Sequence, residues 1–236
     1  MIYNYDVTCD EKTPPVGWEG SVSQSVTTRA ELHRTTLIDF LQIHGIRVHG
    51  NAGFNAIEWF NQTFPTVLDI DHGCWLAGGA ILAMLDQRDM VGRDLDLFFQ
   101  SLGQSDLIEN HIRTKQSHTR HVTGNATTFK LGTGEVLQVI RRNFFDSPEQ
   151  LLSTFDFSVC QWATDGKTLV YSDQALKDWK TKTLRNVLGV KETDTVVRFN
   201  KYLLNGYTPD VATSNQILQW ILDDSEYFTD TGGYPS

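Results

Sequence analysis

The sequence predicts an α/β protein of the α+β kind, with a small mixed or antiparallel sheet flanked by helices. Three observations predict it. Apolar stretches at helical spacing alternate with strand-like runs through the first half of the chain. Between Ser117 and Arg142 the pattern changes to in-and-out alternation broken by glycine-containing turns, the mark of antiparallel strands. After Ser172 the spacing is helical again. With 236 residues, 40% of them hydrophobic, the chain can bury one core and carry a modest appendage.

The elements follow in order. Met1 to about Ser25 is rich in Gly, Pro, Ser and Thr and reads as an irregular arm over the surface. Thr27 or Thr28 can cap a helix running to about His44, with Leu32, Leu37, Phe40 and Leu41 near helical spacing. A second helix covers Phe54 to Phe64 and stops at Pro65. Thr66 to Ala77 contains the first strand, which runs into Gly78-Gly79. A buried helix follows over Ala80–Gln87, then a loop to Arg93, a strand over Asp94–Gln100 and a helix over Leu102–Lys115. Ser117–Thr123, Ala126–Leu131 and Val136–Arg141 are strands. Ser147 can cap a short helix, with Pro148 at its first position and Gln150 completing a capping box. Phe157–Ala163 reads as a strand, Asp165-Gly166 as a hairpin turn and Thr168–Tyr171 as the returning strand. Helices are expected over about Gln174–Lys180, Thr193–Asn205 and Ser214–Leu222, with Gly206 ending the middle one. Asp230 to Ser236 reads as a loose end. The segmentation is thus an arm with packing helices over 1–65, a core over 66–172 and a short helical segment over 173–236.

Composition excludes several classes. No apolar run approaches the roughly 20 residues of a membrane span, and the N-terminus lacks a basic-then-apolar signal. Cys9, Cys74 and Cys160 form no metal pattern and read as reduced cysteines of a cytoplasmic protein. A net charge of −9 argues against broad, charge-driven binding of nucleic acid.

The chemistry concentrates between Leu76 and Phe99. In a strand alternate residues share a face, so Asp94 and Asp96 point the same way, with Cα atoms about 6–7 Å apart. Two carboxylates on one face of an apolar strand resist burial, and a divalent cation between them relieves both. All-oxygen ligation suits Mg²⁺ or Mn²⁺. An EF-hand loop is disfavoured, because Leu95 and Leu97 separate the acids and no glycine follows where that loop needs one. Upstream, Gly78-Gly79 lets backbone approach a ligand closely, and a helix start beside it favours phosphate. Solvated acids on an edge strand are the bland alternative. The apolar neighbours and the glycine pair oppose it.

Gly-Gly, helix, then Asp94-Leu95-Asp96-Leu97 resembles the nucleotidyltransferase superfamily of DNA polymerase β. Phe155-Asp156-Phe157-Ser158-Val159-Cys160 resembles a second segment, found in the CCA-adding and poly(A) polymerase branch. The resemblance spans about Cys74 to Trp162 and implies a polymerase β-like palm. It implies a nucleotidyltransferase that moves a nucleoside monophosphate from an NTP to an acceptor hydroxyl and releases pyrophosphate. Asp94 and Asp96 are then the metal ligands and, with Asp156, the catalytic carboxylates. Gly78 and Gly79 face the triphosphate, and Arg198 and Lys201, one helical turn apart, contact the nucleotide. The acceptor is an RNA 3′ end, tRNA-like and slightly preferred, a protein or a small molecule. The superfamily's third acid has no clear counterpart: the best-aligned position is Gln138, with Glu135 and Asp156 as the carboxylates available. Two readings compete. One is a non-catalytic nucleotide- or protein-binding descendant of the fold. The other is a DxD glycosyltransferase, which gives no reason for the glycine pair. Lys177, Lys180, Lys182, Arg185 and Lys191 form a basic run, read either as a solvated helix face or as a groove for phosphate.

Overall fold

The structure, a computed structural model, describes residues 32–90, 93–115, 119–130, 136–189 and 194–230. The strands of its main sheet are β1 (Leu32–Thr36), β2 (Trp75–Ala77), β3 (Asp94–Phe98), β4 (Thr119–Val122), β5 (Ala126–Lys130), β6 (Val136–Ile140), β7 (Trp162–Thr164) and β8 (Thr168–Ser172). In space their order is β1-β8-β7-β2-β3-β6-β5-β4. Every neighbouring pair is antiparallel except β3 with β6, which run parallel. The sheet is therefore mixed, with its one parallel ladder at the strand that bears Asp94 and Asp96.

The helices are α1 (Leu37–Ile43), α2 (Ala52–Thr63), α3 (Gly79–Leu85), α4 (Leu102–Lys115), α5 (Pro148–Leu152), α6 (Asp173–Thr181), α7 (Thr195–Leu204) and α8 (Val211–Asp230). A short parallel pair, β9 (Thr183–Leu184) and β10 (Thr208–Pro209), stands apart from the sheet. Alternation along the strands divides the core in two. Leu76, Leu95, Leu97, Leu137 and Val139 face a large cluster with α1, α2 and α3. Trp75, Ala77, Ala163 and Val170 face a smaller one with Leu151 and Leu152 of α5.

Three sequence-based expectations are corrected here. The described beginning of the helix expected from Thr27 is a strand, and Thr36 is the true cap, accepting from the Asp39 amide. Tertiary pairing overrides local spacing: Leu32 to Thr36 lie opposite Ser172 to Thr168 at the sheet edge. The strand expected from Thr66 shrinks to three residues. Before it, Asp69 accepts from the Asp71 and His72 amides and holds the chain in a loop. The strand expected over Phe157–Ala163 begins instead as a 3-10 turn, Ser158–Cys160. Its backbone bonds the chain near Arg185 rather than the sheet: Ser158 N–H donates to Arg185 C=O and Val187 N–H to Asp156 C=O. The arm at the N-terminus and the loose end after 230 lie outside the described residues.

The capping of α5 matches expectation on one side only. Ser147 accepts from the Gln150 amide, whereas the Gln150 side chain accepts from Asp146, one residue short of a reciprocal box.

Helices α2 and α3 meet at Gly53, where a Cβ would sit 2.5 Å from Met84 Cβ and 2.8 Å from its Cα. Backbone cannot yield as a flexible side chain can. Gly53→Ala is expected to cost about 1–3 kcal/mol, read as a lower urea midpoint at unchanged m-value. An unchanged midpoint would show that the two helices are not in this contact.

Candidate functional site

The site begins with the alternation of β3. Leu95 and Leu97 are buried, while Asp94 and Asp96 emerge together on the opposite face. Antiparallel register sets Trp75 opposite Phe98 and Leu76 opposite Leu97. The chain therefore leaves β2 through Ala77 and enters Gly78 alongside the half of β3 that carries the acids. Gly78 has φ 81 and ψ −136, a conformation an L side chain adopts only under strain. Phe155 also closes over it, so a Cβ there would meet Phe155 Cε1 at 3.0 Å. Gly79 is more open, and its nearest outside neighbour would be the Tyr202 hydroxyl at 3.9 Å. The tandem glycines thus lie at the aspartate-bearing end of the sheet.

On the other side of β3 the parallel register sets Gln138 of β6 opposite Asp96. Gln138 Nε2 donates to Asp94 Oδ2 at 2.6 Å. The best-aligned position for a third acid is therefore a neutral amide bonded to the first acid. Burial raises the Asp94 carboxyl above its usual range, with Lys201 acting against the shift. Asp96 is pushed up to about 7, first by burial and then by the neighbouring Asp94 charge, again with Lys201 opposing.

Lys201 belongs to α7, as does Arg198. Arg198 Nε and Nη2 both reach Asp156 Oδ2, at 2.8 and 2.7 Å. The carboxylate of Asp156 is held by an arginine. Asp156 thus fixes α7 to the segment between α5 and β7. A second fastening went unread in the sequence: Tyr202 Oη lies 2.7 Å from Cys160 Sγ. Tyr202 follows Lys201 directly, so the apolar side of an amphipathic helix was its only signal. Burial pushes the Cys160 thiol up to about 12 and the Tyr202 hydroxyl above its ordinary value, so this contact stays uncharged.

Glu135 lies outside the described residues. Among those described, no group of three or more His, Cys, Asp or Glu could hold a metal ion. The basic run divides. Lys182 pairs with Asp86 and lies over the Tyr207 ring, and Arg185 binds Asp178 and Asp210. Lys177 and Lys180 are exposed on α6 and Lys191 is not described. These cations do not form one groove.

Against this geometry, known proteins supply two lines of similarity. A family model described as Gabija anti-defense 2 family protein matches residues 54–182, more than half of the chain. The chain belongs to that family. A Gabija anti-defense 2 protein of Bacillus phage SPbetaL7 is 33% identical over 98 residues, 41% of this chain and 24% of that protein. The alignment thus spans about a quarter of the curated relative's length. Solved structures supply the second line. A CCA-adding enzyme in complex with ATP superposes with a TM-score of 0.57 at 13% identity, over 85% of this chain and 48% of that one. The Thermotoga maritima CCA-adding enzyme bound to tRNA gives 0.53 at 12%, over 79% and 45%. A tRNA-processing enzyme in an apo form gives 0.53 at 19%, over 75% and 48%. The chain spans under half of each. The fold is nucleotidyltransferase-like, as the glycine pair and the two aspartates implied. No described helix is long and apolar enough to cross a membrane.

Two outcomes follow from the electrostatics. The folded Asp96 carboxyl titrates at about 7 against an ordinary 3.8, so its contribution to stability is intact below pH 3.8 and lost as pH rises towards 7. In metal-free buffer, Asp96→Asn is expected to remove up to about 1.4 kcal/mol per pH unit from that slope. Equal slopes in urea titrations of the two proteins would contradict the burial of Asp96. Removing Arg198 strands Asp156, which is 5% exposed as a side chain. Arg198→Leu is expected to lose about 1–3 kcal/mol, part of it recovered when Asp156→Asn is added. Additive losses in that double-mutant cycle would mean that the two are not coupled.

Proposed function

We propose that this chain is a metal-dependent nucleotidyltransferase and that its transfer serves the anti-defense role carried by its family's name. The observation that carries the reading is the convergence of Asp94 and Asp96, the Gly78-Gly79 turn and the α7 cation Lys201 on one end of the sheet.

The donor set fits a hard divalent cation. Two carboxylates share a face, and their resistance to ionising is what a cation between them relieves. Mg²⁺ is commonly held by one or two carboxylates together with substrate phosphates. When bound, such an ion neutralises phosphate charge and polarises the group under attack. This chain's residues do the rest. Gly79, bare of a side chain, lets a phosphate approach the backbone. Lys201 adds positive charge beside it, and Arg198, braced by Asp156, holds α7 in place. The acceptor hydroxyl gives its proton to water, its oxygen forms a bond to the α-phosphorus as the bond to the bridging oxygen breaks, and pyrophosphate leaves with the released electron pair. Positioning and charge stabilisation supply most of such a catalysis.

The acceptor is a hydroxyl on a protein, an RNA 3′ end or a small molecule. The net charge of −9 and the internal pairing of Lys182 and Arg185 favour a protein over a long RNA. Gln138 favours a second reading, in which the chain binds a nucleotide without transferring it.

The test is incubation with each NTP labelled at the α-phosphate, with Mg²⁺ or Mn²⁺, in the presence of total RNA or bacterial protein. Label is expected to enter one fraction. Asp94→Ala and Asp96→Ala should each reduce transfer by more than the roughly 10–100-fold typical of losing an outer-shell partner. Nucleotide binding without incorporation would select the second reading, and label transfer that survives both substitutions would remove the site assigned here.

A further inference from the structure

We infer that Gln138 restricts this site to one divalent cation, and that the cation enters with the phosphates of the nucleotide. The inference rests on the reading of Asp94 and Asp96 as cation ligands, and it adds how many ions they take and in what order.

The face formed by β3 and β6 offers Asp94, Asp96 and Gln138 in mutual reach. Parallel register fixes Gln138 opposite Asp96, and its amide donates to Asp94 Oδ2 at 2.6 Å. Asp156 adds no free negative charge to the set, because Arg198 pairs with it through both Nε and Nη2. The fixed negative charge is therefore two carboxylates, and Lys201 offsets part of it.

Charge and ligand count then decide. Two carboxylates balance one divalent ion. A second ion some 3.5–4 Å away needs a bridging or additional anionic oxygen. Gln138 provides only a neutral amide, and its hydrogen already occupies an Asp94 lone pair. In the free protein even the first ion meets an opposing lysine and must displace that hydrogen bond. A triphosphate changes both conditions, since it contributes anionic oxygens to the ion and screens Lys201. Mg²⁺ sheds its water reluctantly and is ordinarily held in this way, by few carboxylates plus phosphates. The ion and the nucleotide should therefore bind as one unit.

The experiment is equilibrium dialysis of the full chain against Mn²⁺, with and without a nonhydrolysable NTP, with bound Mn²⁺ counted by electron paramagnetic resonance. The wild type is expected to hold one Mn²⁺ per chain with the nucleotide, and to bind Mn²⁺ at least tenfold more weakly without it. Gln138→Glu, nearly equal in size, is expected to take a second Mn²⁺ and to bind Mn²⁺ at least tenfold more tightly in the absence of nucleotide. Two Mn²⁺ per wild-type chain, equal affinity with and without nucleotide, or a folded Gln138→Glu protein that stays at one ion would each overturn the inference. The wild-type count decides even if Gln138→Glu does not fold. Asp94→Ala and Asp96→Ala separate the two levels. If they retain wild-type Mn²⁺ and nucleotide binding, the underlying site reading fails. If they abolish it while the wild type holds two ions, only the present inference fails.

Discussion

The parallel ladder between β3 and β6 fixes everything that matters in this molecule. Leu95 and Leu97 on one strand and Leu137 and Val139 on the other are essentially without exposure. Each such side chain contributes about 1.5–3 kcal/mol by leaving water. A slip of one residue would exchange buried leucines for aspartates, so register is strongly determined. The same alternation that anchors β3 forces Asp94 and Asp96 out together on the opposite face. Core and site are two sides of one strand, and neither can be altered independently.

That arrangement has an electrostatic cost. Burial first, and then the neighbouring Asp94 charge, make Asp96 hold its proton to about 7. The chain answers with an amide from β6 and a lysine from α7, not with a salt bridge. The amide stabilises one charge without cancelling it, and Lys201 reduces the field of both. α7 can serve this purpose because it is fastened to the body of the protein at two points, Arg198 to Asp156 and Tyr202 to Cys160. Both fastenings grip the short stretch that joins α5 to β7. Phe155, in the same stretch, covers Gly78. One irregular segment thus ties the glycine turn to the helix that carries the cations.

Legibility in the sequence followed the range of the interactions. Asp94 and Asp96 were readable because their shared face depends only on the period of a strand, and Gly78-Gly79 because a turn is local. The cap at Ser147 and the end of α7 before Gly206 were readable for the same reason. β1 was not, because its extended form is imposed by β8 from the far end of the chain. The turn at Ser158–Cys160 was not, because its hydrogen bonds go to residues near Arg185. Position 138 stood out as a missing acid, yet only the folded chain shows that the ladder sets it opposite Asp96 and that its amide binds Asp94. Arg198 was noted for its charge, and its bond to Asp156 bridges 42 residues that no spacing rule connects.

Net charge and local charge must finally be kept apart. At −9 the protein repels a polyanion at a distance, but at physiological salt that field decays over about 8 Å. In the function proposed here, a triphosphate at the end of β3 would meet instead the local field of Lys201, beside backbone with no side chain to exclude it. A compact anion needs only this short-range reception. A long RNA needs many cations spread along a track, and Lys182 and Arg185, which could have formed part of one, are bound to Asp86, Asp178 and Asp210. In the function proposed here, nucleotide and acceptor are therefore recognised by different means. The nucleotide is drawn by local charge and a shared cation, and the acceptor without a long track of cations. The exposed Val197 and Leu204 flank Lys201 at helical spacing on α7, so the helix that brings charge to the phosphates also carries uncharged contact surface beside it.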